Sequence, residues 1–91
     1  MPAVTLTLIG KPGCHLCEDA QVVVDRVVAR APADPSLATL EFTVEEKSIL
    51  DDAALLDEYV EQIPVLLING KVHNYWHIDP VRLTTALRGL V

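Results

Sequence analysis

Apolar and polar positions in the first third of the chain change their period at a glycine-rich loop. Residues 4–9 form a short, largely apolar run rich in β-branched side chains, which is typical of a buried strand. Residues 10–13, Gly-Lys-Pro-Gly, end this run and predict a loop. Beyond the loop, apolar side chains recur at the spacing of one helix face, at Leu16, Ala20, Val23, Val24, Val27 and Val28. The pattern therefore predicts a strand, a loop and a helix in that order.

The middle of the chain predicts a loop, a strand and a short helix. Residues 31–36 hold two prolines and are typical of a loop. Leu40, Phe42 and Val44 alternate with polar residues, and this period of two predicts a second strand with one face buried. Residues 48–60 predict a short helix with two aspartates near its start, where carboxylates suit the positive end of the helix dipole. Its core-facing side chains are expected to be Leu55, Leu56, Tyr59 and Val60.

The last third predicts a hairpin and a closing helix. Residues 65–68 and 71–76 flank Asn69-Gly70, a strong signal for a two-residue turn, so the two segments should pair antiparallel. Asp79 is expected to cap a final helix that has Pro80 at its first position. The side chains buried by this helix are expected to be Leu83, Leu87 and Leu90.

The resulting order, β-α-β-α-β-β-α, predicts an α/β fold. The first strand, helix and second strand occupy few enough residues to favour a right-handed parallel βαβ unit. A parallel pair followed by a hairpin gives one four-stranded mixed sheet with helices on both faces. The chain has 91 residues, of which 51% are hydrophobic, and its mean hydropathy is +0.32. These values predict a single compact domain over residues 1–91 and argue against a disordered chain.

The net charge and the lengths of the apolar runs limit the classes of partner and the cellular locations that we expect. The net charge is −6, from 13 acidic and 7 basic residues without a basic stripe, which argues against nucleic-acid binding. The first residues lack the charged region of a signal peptide, and no window approaches the ~20 apolar residues of a membrane span. We therefore expect a cytoplasmic monomer with no membrane partner. In that compartment a cysteine pair is more often catalytic or metal-binding than a structural disulfide.

The chain has two cysteines, Cys14 and Cys17, separated by two residues. Cys14 falls where the loop meets the first helix, and the free N–H groups and dipole of a helix N-terminus favour a thiolate there. Cys17 falls about one turn into the helix, where it should be better shielded. The spacing therefore predicts that Cys14 attacks a disulfide and that Cys17 resolves the resulting mixed disulfide.

Two other interpretations of the cysteines stay open at this point. The pairs Cys14/Cys17 and His73/His77 together form a possible four-ligand zinc set. The long stretch between the two pairs argues against it, because a compact finger uses roughly 12 to 15 residues there. The cysteines could also be small buried side chains without a role, although a glycine-rich loop is a poor place to bury them.

Several residues beside the cysteines are candidate modulators of the thiol. Lys11 would favour a Cys14 thiolate if it points toward the sulfur, and a protonated His15 would do the same near neutral pH. Gly13 would let a partner's backbone approach Cys14. Glu18 would oppose the thiolate if it lies close, or it merely suits the first turn of the helix. Each of these residues could instead be an ordinary solvated charge or turn residue. The sequence does not determine their combined effect on the Cys14 thiolate.

Two stretches of the chain resemble the glutaredoxin-like branch of the thioredoxin superfamily. Residues 6–20, LTLIGKPGCHLCEDA, are similar to that family's first strand, Lys-x-x-Cys-x-x-Cys loop and first helix. Residues 62–72, QIPVLLINGKV, are similar to its cis-proline strand and hairpin. On its own, a proline at this position fits the start of a strand or an edge strand. The two stretches together are far more specific than either alone.

The resemblance implies a thioredoxin fold and dithiol–disulfide exchange. In the pattern of that family, Cys14 matches the nucleophile, Cys17 matches the resolving thiol, and Pro64 matches the cis-proline that faces the two cysteines. Ile63 would offer backbone hydrogen bonds to an extended peptide or thiol substrate. Lys11 matches the basic residue that precedes the nucleophile. The resemblance thus implies substrate-binding roles for Lys11, Ile63 and Pro64, to which the loop positions Gly13 and His15 are added as candidates.

The sequence departs from the glutaredoxin pattern at two places. His15-Leu16 stands between the cysteines where glutaredoxins commonly carry Pro-Tyr. Residues 74–79, Asn-Tyr-Trp-His-Ile-Asp, stand where that family commonly has the Gly-Gly and acidic segment that holds glutathione. The closer likeness is to short glutaredoxin-like domains.

The combined hypothesis is a small thiol–disulfide oxidoreductase in cellular redox homeostasis and electron transport. It needs no metal or organic cofactor, and glutathione or another low-molecular-weight thiol is expected to reduce it. Its substrate would be a disulfide-containing protein or a small thiol. The alternative is a non-catalytic thioredoxin-fold module that docks on a partner through Tyr75 and Trp76, whose rings suit a contact surface.

Overall fold

The computed structural model describes residues 3–90 and confirms the predicted order of elements. Met1, Pro2 and Val91, which the single-domain prediction includes, lie outside the described residues, and that prediction stays a prediction. The elements are β1 (Ala3–Gly10), α1 (His15–Arg30), a 3₁₀ turn (Ala31–Ala33), β2 (Glu41–Ser48), α2 (Ala53–Tyr59), β3 (Val65–Ile68), β4 (Lys71–Tyr75) and α3 (Pro80–Arg88). Across residues 3–90, none of the helices is both long and apolar enough to span a membrane.

The four strands form one mixed sheet in the order β2-β1-β3-β4. Strand β1 pairs parallel with β2 and antiparallel with β3, and β3 pairs antiparallel with β4. In the β1–β3 pair Ile9 lies opposite Val65. The loop that leaves β1 and the segment that enters β3 therefore meet at the same edge of the sheet. This edge carries Cys14 on one segment and Pro64 on the other.

Helices cover both faces of the sheet, as predicted. Helices α1 and α3 pack on one face against alternate residues of β1, and the core there includes the fully buried Val24, Leu66, Leu83 and Leu87. A smaller cluster on the other face joins Ile9 and Val65 to the partly buried Leu55 and Tyr59 of α2. The apolar face of α1 therefore fixes the position of the helix that carries the cysteines.

The face of β2 that was predicted to be buried is only partly covered. Leu40, just before the strand, is buried, whereas Phe42 is half-buried and Val44 is 37% exposed. The cause is the strand order, because β2 is an edge strand with β1 on one side only. A period of two indicates a strand but does not say whether a helix covers it.

Helix α2 is shorter than predicted. Ser48 ends β2, and the helix begins only after Asp52, whose Oδ1 accepts a hydrogen bond from the N–H of Ala54 at 2.9 Å. An Asp at this capping position satisfies one of the free donors of the first turn. Leu55 and Tyr59 pack against the core, whereas Leu56 and Val60 are 38% and 48% exposed, contrary to their predicted place in the core.

The turn and cap predicted for the last third of the chain are confirmed. Asn69 and Gly70 have φ angles of 51° and 84°, the positive values that a type I′ hairpin turn requires. Asp79 caps α3 by accepting a hydrogen bond from the N–H of Val81 at 2.9 Å. Leu90 is not part of the core, contrary to the prediction, because α3 ends at Arg88 and Leu90 is 41% exposed.

Candidate active site

The loop between β1 and α1 delivers Cys14 to the N-terminus of the helix. Gly13 has a φ of 75°, which turns the chain into the helix. Cys14 is the N-cap residue, and its Sγ accepts a hydrogen bond from the N–H of Cys17 at 3.2 Å. A sulfur in this position lies next to the free donors and the positive end of the helix dipole. The predicted location of Cys14 at the start of α1 is confirmed.

Cys14 and Cys17 form a disulfide, with their Cα atoms 5.2 Å apart. Cys14 is half-buried, whereas Cys17 is only 9% exposed. The predicted difference in exposure between the two cysteines is therefore present. Their assignment as attacking and resolving thiols stays a prediction, because exposure alone does not report reactivity.

Gly10, the last residue of β1, makes room for Cys17. A Cβ atom at Gly10 would lie 2.8 Å from Cys17 Sγ and 3.1 Å from Cys17 Cβ, too close for real carbon and sulfur atoms. The sequence pattern identifies Gly10 only as part of a loop. The available signal was a glycine at the end of a strand pattern, which often marks the close approach of another group to the backbone.

Pro64 lies at the start of β3, and the Ile63–Pro64 peptide bond is cis. The ring of Pro64 is fully buried and Ile63 is half-buried. Because Val65 lies opposite Ile9, this loop runs along the same edge of the sheet as the cysteine loop. The structure thus brings Ile63 and Pro64 to the edge that carries the disulfide.

Trp76 ties the segment after β4 to the cis-proline loop. Its backbone N–H donates to the carbonyl oxygen of Pro64 at 2.8 Å, and its indole Nε1–H donates to the carbonyl oxygen of Glu61 at 3.0 Å. Its φ of 65° is unusual for a bulky residue. In the sequence Trp76 stands out only as a possible contact residue, and no local signal marks these long-range hydrogen bonds. Trp76 therefore stabilises the cis-proline loop, although 49% of the residue is exposed.

Lys11, His15 and Glu18 lie close to the two cysteines in the sequence, and their side chains face solvent. His15 Nδ1 lies 3.7 Å from Glu18 Oε2, and these side chains are 97% and 69% exposed. An exposed pair of this kind contributes little to stability, ~0–1 kcal/mol. Lys11 is exposed beside a cleft that also reaches Cys17. The charged side chains next to the cysteines in the chain are therefore accessible to solvent.

The four residues of the zinc hypothesis are not brought together. Over residues 3–90 the structure holds no group of three or more His, Cys, Asp or Glu side chains arranged to bind a metal ion. His77 is exposed, and His73 is half-buried on β4, where its carbonyl oxygen accepts a hydrogen bond from Arg82. Within residues 3–90 the structure therefore does not assemble this set of four zinc ligands.

His73 is expected to make stability depend on pH. Burial, and then the positive charge of Arg82, lower the pKa of His73 below its usual 6.5, and its buried Nε2 lacks a hydrogen-bond partner within residues 3–90. The unfolded chain then binds the proton more readily, so the free energy of unfolding falls as pH drops below 6.5 and continues falling through the lowered pKa. Denaturant unfolding from about pH 7 to about pH 5 should show this slope, and His73→Asn should reduce it. His77→Asn is the control that keeps it, and equal slopes for His73→Asn and the unaltered protein would contradict the assignment.

Residues 5–88 match the family described as Glutaredoxin-like domain (DUF836). Uncharacterized protein Rv0508 of Mycobacterium tuberculosis is 26% identical over 76 residues, which are 84% of this chain and 74% of that protein. An X-ray structure of protein XcR50 from X. campestris has a TM-score of 0.63 at 30% identity and covers 92% of this chain and 96% of that one. The likeness to these proteins therefore extends over nearly the whole chain.

Two more distant solved structures identify the architecture. Protein Ne2328 from Nitrosomonas europaea has a TM-score of 0.65 at 23% identity, over 94% of this chain and 92% of that one. A mutant thioredoxin from Halobacterium salinarum has a TM-score of 0.63 at 17% identity, over 98% of this chain and 75% of that one. At such low identity these similarities bear on the fold alone, and they confirm the thioredoxin fold.

Proposed function

The chain belongs to the glutaredoxin-like domain family, and from this membership and its Cys14–Cys17 pair we propose that it is a thiol–disulfide oxidoreductase. One observation carries the proposal: the two sulfurs lie within bonding distance at the N-terminus of α1, with the more exposed one as the cap. A helix N-terminus favours a thiolate, which is the reactive form of cysteine. The family membership establishes the fold and the motif, and the activity is the proposed step beyond them.

In the proposed reaction the Cys14 thiolate attacks one sulfur of a substrate disulfide. The substrate's S–S bond breaks, a mixed disulfide forms on Cys14, and the first substrate thiolate leaves. The Cys17 thiolate then attacks Cys14 Sγ and expels the second substrate thiolate. Two electrons have passed to the substrate, and the protein is left with the Cys14–Cys17 disulfide. The low exposure of Cys17 supports its role as the second thiol, since the substrate meets Cys14 first.

The substrate chain is proposed to lie along Ile63 and Pro64. Within residues 3–90 no backbone hydrogen bond outside the regular elements engages Ile63, so its N–H and C=O are available to an extended peptide. The carbonyl of Pro64 is already used by Trp76, which keeps this loop in place. Lys11 and Gly13 of the loop after β1, and His15 at the start of α1, lie beside the cysteines in the chain and are the proposed contacts for the rest of the substrate.

The proposed setting is the cytoplasm, with a disulfide-containing protein or small disulfide as substrate. Glutathione or another low-molecular-weight thiol is the proposed reductant. The negative net charge of −6 fits neither a nucleic-acid partner nor an anionic membrane surface.

Catalytic cycling of the pair tests the proposal. The full chain is mixed with excess reductant and, in separate assays, with glutathione disulfide or a disulfide-bonded protein, and the release of substrate thiols is followed. Many substrate equivalents per chain are expected, while the double variant Cys14→Ser/Cys17→Ser gives only the uncatalysed rate. Equal rates for the two proteins would overturn the oxidoreductase proposal and favour the binding module.

A further inference from the structure

A cleft of about 500 Å³ lies between helices α1 and α3. Its walls are the second half of α1 with the segment that follows it, and one side of α3. Because a helix rises about 1.5 Å per residue, Arg26 and Arg30 in this cleft lie ~18 Å and ~24 Å beyond Cys14 along the axis of α1. Among residues 3–90 the lining includes none of the proposed substrate contacts. The cleft is therefore a surface separate from the disulfide.

Apolar side chains form much of the lining of the cleft. Val27, Ala31 and Leu37 are buried, and Val23 is half-buried. Val81, in the first turn of α3, is 73% exposed. Known small-molecule sites occupy about 300–1,000 Å³ and are lined mostly by apolar side chains with a few polar groups. The cleft thus has the size and the apolar lining that suit a small molecule.

The charge of the cleft is positive, although the net charge of the chain is −6. Arg26, Arg30 and Arg88 line it, and Asp34 is the one acidic residue of the lining within residues 3–90. Both carboxylate oxygens of Asp34 are occupied, since Oδ2 accepts a hydrogen bond from Arg88 and Oδ1 accepts one from the N–H of Ser36, each at 2.9 Å. The hydrogen bond from Arg88 lowers the pKa of Asp34 below its usual 3.8, so Asp34 is charged at neutral pH and offsets Arg88. The excess positive charge therefore comes from the two arginines of α1.

Arg26 and Arg30 lie about one helical turn apart and are both exposed. Within residues 3–90 neither side chain forms an ion pair or a hydrogen bond. Like charges four residues apart on a helix repel each other, and an anion bound between them offsets that repulsion. Guanidinium groups bind the oxygens of carboxylates and phosphates through paired N–H donors. The two arginines can therefore hold one anionic group beside the apolar lining.

The donors at the cleft favour a carboxylate over a phosphate. Phosphates are commonly held by free N–H groups at a helix N-terminus. The N-terminus of α3 borders this cleft at Pro80 and Val81, but Pro80 has no N–H. Asp79 already accepts hydrogen bonds from the N–H groups of Val81 and Arg82. The two arginines of α1 remain as donors, and they match the two oxygens of a carboxylate.

We propose that the cleft between α1 and α3 binds a small amphipathic carboxylate, with its carboxylate at Arg26 and Arg30 and its apolar chain against the valines of the lining. A carboxylate without a chain leaves these valines in contact with water, and an uncharged chain leaves the arginines without a partner. The ligand is a single molecule rather than an anionic membrane surface, because the net charge of −6 opposes approach to such a surface. The inference goes beyond thiol–disulfide exchange, since neither cysteine takes part in it.

The first test compares probes that share one linear alkyl chain. Octanoate, octanol and octyltrimethylammonium are titrated into the full chain below their micelle-forming concentrations, and NMR chemical shifts report binding. We expect octanoate to bind about five- to thirtyfold more tightly than the other two, a range that two exposed charge contacts can supply. Acetate, which lacks the chain, should bind at least about tenfold more weakly than octanoate. Equal affinities for octanoate and octanol would overturn the proposal.

Matched charge variants assign this preference to the cleft. Arg26→Gln/Arg30→Gln should bind octanoate at least about fivefold more weakly and octanol as before. Lys47→Gln/Lys71→Gln removes the same charge from exposed positions outside the cleft and is the control. It should keep the affinity of the unaltered chain at about 0.15 M salt, where distant charges are screened. An arginine variant that behaves like this control would contradict the assignment.

Val81→Thr tests the apolar part of the site. The change replaces a methyl group by a hydroxyl group, so octanoate and octanol should both bind about two- to fourfold more weakly. Val22→Thr is the control, because Val22 is an exposed valine of α1 outside the cleft, and it should change neither affinity. Equal effects of the two variants would mean that the chain of the ligand does not lie in this cleft.

Variants of the cysteines separate this site from the proposed redox reaction. Cys14→Ser/Cys17→Ser should bind octanoate like the unaltered chain, and Arg26→Gln/Arg30→Gln should retain disulfide turnover, because ~18 Å or more separates the two sites. If octanoate fails to bind while disulfides are turned over, only this inference is overturned. If octanoate binds as expected and no disulfide is turned over, only the proposed function is overturned.

Discussion

Cys14→Ser is expected to remove turnover of a protein disulfide, whereas Cys17→Ser should still attack the substrate once and then stop. Cys14 is the half-buried cap of α1, where the helix N-terminus favours the thiolate, and serine in its place offers no comparable nucleophile. The loss of turnover should be at least about 10³-fold, as for other essential nucleophiles. Without Cys17 the mixed disulfide on Cys14 has no internal thiol to resolve it.

The two single variants differ in a product that mass spectrometry detects. With an excess of a disulfide-bonded protein, and without added thiol, Cys17→Ser should accumulate one covalent adduct per chain. Cys14→Ser should accumulate much less, because its remaining thiol is the less exposed one. The double variant is the control for non-covalent association. An adduct that forms faster on Cys14→Ser than on Cys17→Ser would reverse the assigned roles.

The parts of the fold that the sequence predicted correctly have short-range causes. Asn69-Gly70 forms its turn because both residues tolerate a positive φ, and Asp79-Pro80 begins α3 because the cap and the proline act within one turn. Cys14 at the start of α1 follows in the same way from the glycine-rich loop and the helical repeat behind it. In each case the signal and its structural effect lie within a few residues.

The errors concern features that depend on distant parts of the chain. Val44 is exposed because β2 lies at the edge of the sheet, and strand order is not encoded in the alternation of one strand. Trp76 supports the cis-proline loop through the carbonyls of Glu61 and Pro64, a pairing created only when β4 folds back on β3. Within the site, the cysteine pair and Pro64 were predictable from the sequence, whereas the space that Gly10 leaves for Cys17 and the cleft beside Lys11 and Cys17 were not.

The second large effect is expected for Gly10→Ala, which should lower the free energy of unfolding because Gly10 lies against Cys17. The new Cβ would lie 2.8 Å from Cys17 Sγ, so one of the two elements must move. Strand β1 is held in place, since Ile9 is buried and the carbonyl of Gly10 accepts a hydrogen bond from the N–H of Ile49 at 3.0 Å. The first turn of α1 is therefore expected to shift, and such overpacking costs about 1–3 kcal/mol.

A double-mutant cycle separates this contact from a general effect of alanine in the strand. Denaturant unfolding of the reduced proteins is compared for the unaltered chain, Gly10→Ala, Cys17→Ala and the double variant. In the Cys17→Ala background the sulfur is absent and only the 3.1 Å contact with the Cβ of residue 17 remains, so the cost of Gly10→Ala should fall by about 1 kcal/mol or more. Gly70→Ala is the control: its φ of 84° makes alanine unfavourable, but no atom lies within 4 Å of its Cβ position, so its cost should be the same in both backgrounds.

If Gly10→Ala behaves like Gly70→Ala, the close approach of Cys17 to β1 is not what requires glycine at position 10. If its cost falls as expected, the same displacement should also slow closure of the Cys14–Cys17 disulfide in Gly10→Ala, because the Cys17 thiolate then starts away from the position in which it reaches Cys14.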